Sequence, residues 1–202
     1  MRASTRRELL AGPAGRIECA IDVPADAARG LALIAHPHPL FGGTLDNKVV
    51  QTLARALLEQ CYVALRPNFR GVGASEGSHD QGRGEVDDLA AALAWGQREY
   101  SQLPLVLAGF SFGAAMQARL AQKVAPRRML LVGIAVGNFE VPPVPEGTLV
   151  VHGERDETVP LASVLDWARP QELPVIVVPG ADHFFHRKLQ VLRGIVRHNW
   201  HT

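Results

Sequence analysis

Strand-length apolar runs alternating with helical stretches from residue 30 to the end predict an α/β protein, a mostly parallel sheet of about seven or eight strands with helices on both faces. Three observations carry this. The runs at 30–35, 104–108 and 129–136 are continuously apolar, and 62–66 is apolar up to Arg66, as expected of strands covered on both faces. Between them, apolar residues recur at helical spacing, as in Val49, Val50, Leu53, Leu57 and Leu58. The polar and glycine-rich motifs follow the runs, at the sheet edge where open parallel sheets bind ligands.

Composition bounds the answer before any motif is read. The 202 residues, 47% apolar and 20% charged, suffice for one domain with a substantial core, and no linker or repeat divides residues 1–202. A formal charge of +1 lacks the concentrated basic surface that a nucleic acid or an anionic membrane requires, so neither is expected as a partner. Residues 1–15 have no apolar signal-peptide core and the run at 129–136 is too short to span a bilayer, so a cytoplasmic location is expected. Cys19 and Cys61 fit that compartment as reduced thiols.

In chain order, Ile17, Cys19, Ile21 and Val23 alternate with polar or small residues. This predicts a half-exposed strand near the sheet edge, paired with a shorter one around 7–11. Residues 30–35 form the first buried strand and lead into H-P-H-P-L-F-G-G. A helix follows within 46–61, with Thr44 or Asp46 as cap. After the strand at 62–66, the glycine-rich stretch 67–84 is too long for a mere connector and is expected to wall a pocket. Val86, Leu89, Ala90, Leu93 and Ala94 give the next helix its apolar stripe. Thr148 to His152 and Val175 to Val178 read as further strands. Pro160 suits the first turn of a helix ending at Ala168, and a last helix lies within 187–200.

The chemistry centres on residues 103–124, where a strand passes into a helix through G-F-S-F-G. Gly109 and Gly113 permit a sharp turn that thrusts Ser111 outward at a helix N-terminus, where developing negative charge is favoured. A serine hydroxyl needs a base and an acid. Asp156 lies just past one later strand and His183 just past the next, in the order Ser111, Asp156, His183. In a parallel sheet all three emerge on one edge. Glu154, Glu157 and Asp182 are neighbouring carboxylates that compete for the acid's place.

Five segments in order then carry a resemblance: H-P-H-P-L-F-G-G-T-L-D-N-K at 36–48, R-P-N-F-R-G-V-G-A-S-E-G at 66–77, G-F-S-F-G at 109–113, H-G-E-R-D at 152–156 and G-A-D-H-F-F at 180–185. The chain resembles the α/β-hydrolase superfamily, in particular a small lidless esterase-like subgroup related to dienelactone hydrolases. The eleven residues 137–147 are too few for the inserted helices of lidded relatives. The resemblance implies Ser111 as nucleophile, His183 as base and Asp156 as its orienting acid. It also implies an oxyanion hole made by the Phe112 N–H and an N–H of the loop after residue 35. Pro37 and Pro39 have no N–H, leaving His38 and Leu40; the doubled prolines and the turn at 41–43 favour Leu40.

Phe41, Phe110, Phe112, Phe139, Phe184 and Phe185 are candidate apolar lining for an open pocket. His36 and His38 form an H-x-H pair, but no third or fourth ligand stands at metal-site spacing, and no cofactor motif is present. One histidine is expected to stitch the loop and the other to line the pocket; Ser75 and His79 read as turn or cap residues. The expected activity is hydrolysis of carboxylic esters with short or exposed acyl groups, on small-molecule substrates. Thioester or lactone hydrolysis uses the same machinery, and a non-catalytic ligand-binding protein of the same fold is the alternative from another class. Since a histidine base acts only when neutral, activity is expected to rise with pH.

Overall fold

The strands, in chain order, are β1 (Ser4–Gly12), β2 (Gly15–Val23), β3 (Gly30–Ala35), β4 (Tyr62–Pro67), β5 (Leu105–Phe110), β6 (Arg128–Val132), β7 (Leu149–Gly153) and β8 (Val175–Val178). The computed structural model, which describes residues 4–200, joins them into one sheet in the spatial order β1-β2-β4-β3-β5-β6-β7-β8. From β4 to β8 every neighbouring pair is parallel, while β2 runs antiparallel to both β1 and β4. This is the α/β-hydrolase architecture. No helix interrupts the chain between β6 and β7, so the sheet edge carries no lid there.

Period-two alternation divides the buried strands between two cores. Leu31 and Leu33 of β3, Leu107 of β5 and Leu131 of β6 face α2 (Arg83–Glu99), α3 (Phe112–Leu120) and α4 (Leu161–Ala168). Ala32, Ile34, Val106, Ala108, Leu130 and Val132 face the opposite way, towards α1 (Lys48–Leu58) and α5 (Leu189–Asn199). Helices thus cover both faces, as the continuous apolar runs require.

The chain leaves β3 for β4 on one side and returns to place β5 on the other. The carboxyl ends of β3 and β5 therefore flank the switch point at which such sheets open a crevice. The loop at 36–43 follows β3 and Ser111 follows β5, so the switch point holds both.

Several expectations are corrected. The first strand is nine residues long, as long as its partner. Strand β2 is not half-exposed: β1 takes the edge position, and residues 19–22 are buried in succession, with Cys19 and Ile21 in the core and Asp22 paired with Arg66 at 2.9 Å. Neither Thr44 nor Asp46 caps α1. Asn47 does, its Oδ1 accepting from the N–H groups of Val49 (2.9 Å) and Val50 (3.4 Å). Strand β6 stops at Val132, where Gly133 at φ 52° turns the chain away.

Candidate active site

The turn at Ser111 exists because its two flanking glycines meet. A Cβ on Gly109 would stand 2.6 Å from the backbone of Gly113 and Ala114, and one on Gly113 would overlap the carbonyl oxygens of Ala35 and His36. With both side chains absent, α3 packs directly against the ends of β5 and β3. Ser111 itself is held at φ 55°, ψ −119°, a conformation that costs a non-glycine residue on the order of 1–3 kcal/mol. Its N–H donates to Val132 O (2.9 Å), and its carbonyl accepts from Ala115 (3.2 Å) and Ala135 (3.3 Å), which together hold the strain.

Three side chains from three loops converge here. Ser111 Oγ donates to His183 Nε2 at 3.0 Å, and His183 Nδ1–H donates to Asp156 Oδ2 at 2.7 Å. Asp156 Oδ1 accepts from the N–H groups of Thr158 (3.0 Å) and Val159 (2.7 Å), so both carboxylate oxygens are engaged. All three residues are buried, and the hydroxyl opens onto the floor of a cavity of about 380 Å³ lined by Pro37, His38, Phe41, Asn47, Thr158 and Phe184, among others. Of the competing carboxylates, Glu154 accepts from Gly180 N–H and Asp182 binds His186; neither reaches His183. The hydrogen bonds of His186 hold the Asp182 carboxyl below its usual range, against the opposing effect of burial.

The loop at 36–43 is organised by its two histidines in different ways. His36 is fully buried. Its Nε2 accepts from Phe69 N–H (3.0 Å) and its Nδ1–H donates to Pro37 O (2.7 Å), which ties the loop to the end of β4. Burial pushes its imidazole down to about 4. His38 lines the cavity, with its ring between Phe41, Phe112 and His79; burial first, and His79 second, depress its pKa. Among the described residues no cluster of three or more metal-ligating side chains occurs.

Leu40 is where the structure departs from the favoured oxyanion donor. Its N–H donates to His38 Nδ1 at 3.2 Å, closing a single helical turn, and its side chain is 69% exposed. The His38 N–H meets no acceptor among the described residues. At the other candidate position, the Phe112 N–H belongs to the first turn of α3, where the helix offers no acceptor of its own.

The six phenylalanines separate cleanly. Phe41, 86% exposed, and Phe184, 44% exposed, line the cavity. Phe110 does not: it is fully buried below the site, its ring 4.9 Å from that of His183. Phe139 packs on Phe112, 5.1 Å between rings, and lies outside the lining. Phe112 and Phe185 are core residues. The 67–84 stretch does not wall the cavity either. It is stitched to β2, through Ser75 Oγ accepting from Glu18 N–H (2.9 Å) and Glu76 accepting from Arg16 (2.8 Å). Sequence reasoning passed over Asn47 and Thr158 of the lining, and over His152, a histidine at the C-terminal end of β7 four residues before Asp156.

Comparison with known proteins bears on the family and the fold. The signature of a family described as "alpha/beta hydrolase fold" matches residues 39–147. An uncharacterised protein of Rickettsia prowazekii is 34% identical over 195 residues, covering 89% of this chain and 82% of its own length. Among solved structures, a serine hydrolase without a lid from Xanthomonas campestris matches with a TM-score of 0.92 at 37% identity, covering 97% of this chain and 93% of the other. An alpha-beta serine hydrolase homologue from Coxiella burnetii matches with a TM-score of 0.91 at 40% identity, covering 97% of each chain.

Proposed function

This chain belongs to the α/β-hydrolase fold family, and from that premise we propose that it is a serine hydrolase cleaving carboxylic esters with short or exposed acyl groups. The observation that carries the reading is the hydrogen-bonded chain Ser111–His183–Asp156 beneath an open cavity. The Xanthomonas and Coxiella structures, both described as serine hydrolases or their homologues, support it.

The steps follow from the bonds. His183 Nε2 takes the proton of Ser111 Oγ as the oxygen attacks the acyl carbon, and Asp156 holds the imidazole in the Nδ1–H tautomer and stabilises the imidazolium. The oxyanion is received by the Phe112 N–H and the His38 N–H, the amides left open at the elbow and in the preceding loop. His183 returns the proton to the departing alcohol. A water deprotonated by His183 then attacks the acyl-enzyme, His183 returns that proton to Ser111 Oγ as its bond to the acyl carbon breaks, and the acid leaves. With Phe41 and Phe184 as the apolar walls and no lid above, the site suits short acyl groups better than long chains.

The test is intact mass after treatment with a small fluorophosphonate, together with turnover of p-nitrophenyl esters of graded chain length. One adduct on the wild type, none on Ser111→Ala, and a rate that is highest for acetate or butyrate are expected. A folded wild type that takes no adduct would overturn the reading.

A further inference from the structure

His152 is a titratable group that the steps above leave unused, although its Nε2 stands 3.5 Å from the Asp156 carboxylate. It is fully buried at the end of β7. Its Nε2 lies 2.9 Å from Val159 O and 3.5 Å from Asp156 Oδ2, and its Nδ1 is buried with no hydrogen-bond partner. A carbonyl oxygen only accepts, so the proton of this imidazole is on Nε2 and the lone pair is on Nδ1. The N–H is therefore directed at Val159 O, with Asp156 Oδ2 as a second, longer neighbour.

These contacts close a ring. Val159 is held through its N–H by Asp156 Oδ1 and through its C=O by His152. Asp156 Oδ2 faces two imidazoles, that of His183 at 2.7 Å and that of His152 at 3.5 Å. The charged or titratable groups acting on His152 are Asp156 and His183, and burial dominates both, pushing its pKa down. A buried histidine with one nitrogen unpaired is an expensive choice for simple packing, since an orphaned polar atom costs more than an apolar side chain of the same shape.

We propose that His152 is a positioning residue of the site: with its Nε2–H on Val159 O and beside Asp156 Oδ2, it fixes the loop that presents Asp156 and moderates how strongly Oδ2 draws the His183 proton. The inference rests on the serine-hydrolase reading for its kinetic consequences, though not for its protonation state. Two effects follow from losing the N–H. Val159 O is left without its donor, so the carboxylate is held less firmly. Oδ2 loses a favourable dipole, so it binds the His183 imidazolium more tightly and a higher pH is needed to free the base.

The experiment compares His152→Phe, which keeps the ring and removes the N–H, with His152→Gln, whose amide restores a donor near the Nε2 position. For His152→Phe, kcat on a p-nitrophenyl ester should fall about ten- to a hundredfold with KM little changed, the range for a buried hydrogen bond lost so that its acceptor is left unpaired. The acid limb of kcat/KM should move up by about half a unit to one unit. His152→Gln should restore most of both. A folded His152→Phe variant with the wild-type rate and limb would overturn the proposal.

Should His152→Phe fail to fold, the wild type itself is decisive. Nitrogen-15 NMR of labelled histidine should find the neutral His152 ring carrying its proton on Nε2, and an Nδ1–H tautomer would overturn the proposal. An inactive wild type that takes no fluorophosphonate would defeat the hydrolase reading and leave this NMR outcome standing.

Discussion

Gly113 and His36 meet backbone to backbone, so that a Cβ on residue 113 would overlap the His36 carbonyl as well as that of Ala35. The first turn of α3 and the loop after β3 are thereby fixed to one another, and the two amides proposed for the oxyanion hole hang from these two segments. Gly113→Ala is expected to force them apart. Overpacking at a buried backbone contact should cost on the order of 2 kcal/mol or more, and esterase activity should fall out of proportion to the loss of folded protein. Urea unfolding alongside turnover per folded molecule checks this; a variant with wild-type values of both would show that the contact tolerates a methyl group.

The oxyanion assignment is separable from the His38 ring. His38 sits at φ −54°, which proline adopts without strain. His38→Ala keeps the amide N–H and loses the ring, whereas His38→Pro loses both. The difference between the two in kcat should be about a hundredfold or more, the size of one oxyanion donor. Equal rates would return the role to another amide.

Ser111 is strained at φ 55°, and glycine tolerates that region freely. Ser111→Gly should therefore be more stable than the wild type by about 1 kcal/mol and show a melting temperature a few degrees higher, while turnover drops by at least about four orders of magnitude. Calorimetry on the purified variant decides. A lower melting temperature would mean that the hydroxyl contributes more to the fold than its backbone costs.

Stability should fall in acid in a way traceable to His36. Its imidazole is held at about 4 in the fold against an ordinary value of 6.5. Between those values the unfolded chain binds a proton that the folded chain does not, so stability rises with pH across the window and is fully present above about 6.5. The complete shift corresponds to roughly 3 kcal/mol. Burial depresses His152 too, and its contribution has the same sign. Urea unfolding at pH 7, 5.5 and 4.5 should show the decline, and His36→Gln, which keeps an acceptor for Phe69 N–H, should flatten part of it. A variant whose curve runs parallel to the wild type would assign the decline to other groups.

Phe41 projects from the rim, 86% exposed. Phe41→Ala should leave folding stability within about 0.5 kcal/mol. It should also raise KM for a butyrate ester more than for an acetate ester, which buries less against the ring. Identical KM changes for both would remove Phe41 from the acyl wall.

Much of this was legible in the residues themselves. Runs such as 30–35 and 62–65 are apolar at every position because both faces of their strands are covered, and that alone implies helices on each side. The glycines around Ser111 mark the elbow because only the absence of a Cβ lets strand and helix touch. The order Ser111, Asp156, His183 is readable because each follows a strand, and parallel strands bring their loops to one edge.

What the residues alone left open was decided by contacts between segments far apart in the chain. Phe41, Phe110, Phe112, Phe139, Phe184 and Phe185 are equally apolar. Only packing sends Phe110 beneath His183 and leaves Phe41 in solvent. Leu40 has a backbone N–H like any other until the His38 ring folds back to accept it. Strand β2 alternates like a half-exposed strand, yet β1 takes the edge position and Asp22 pairs with Arg66, 44 residues further on. His152 is an unremarked histidine until Val159 and Asp156 close around it. Periodicity and glycine placement are local and can be read along the chain. The partner of a given donor or ring depends on which loops the sheet brings together, and that is a property of the folded molecule.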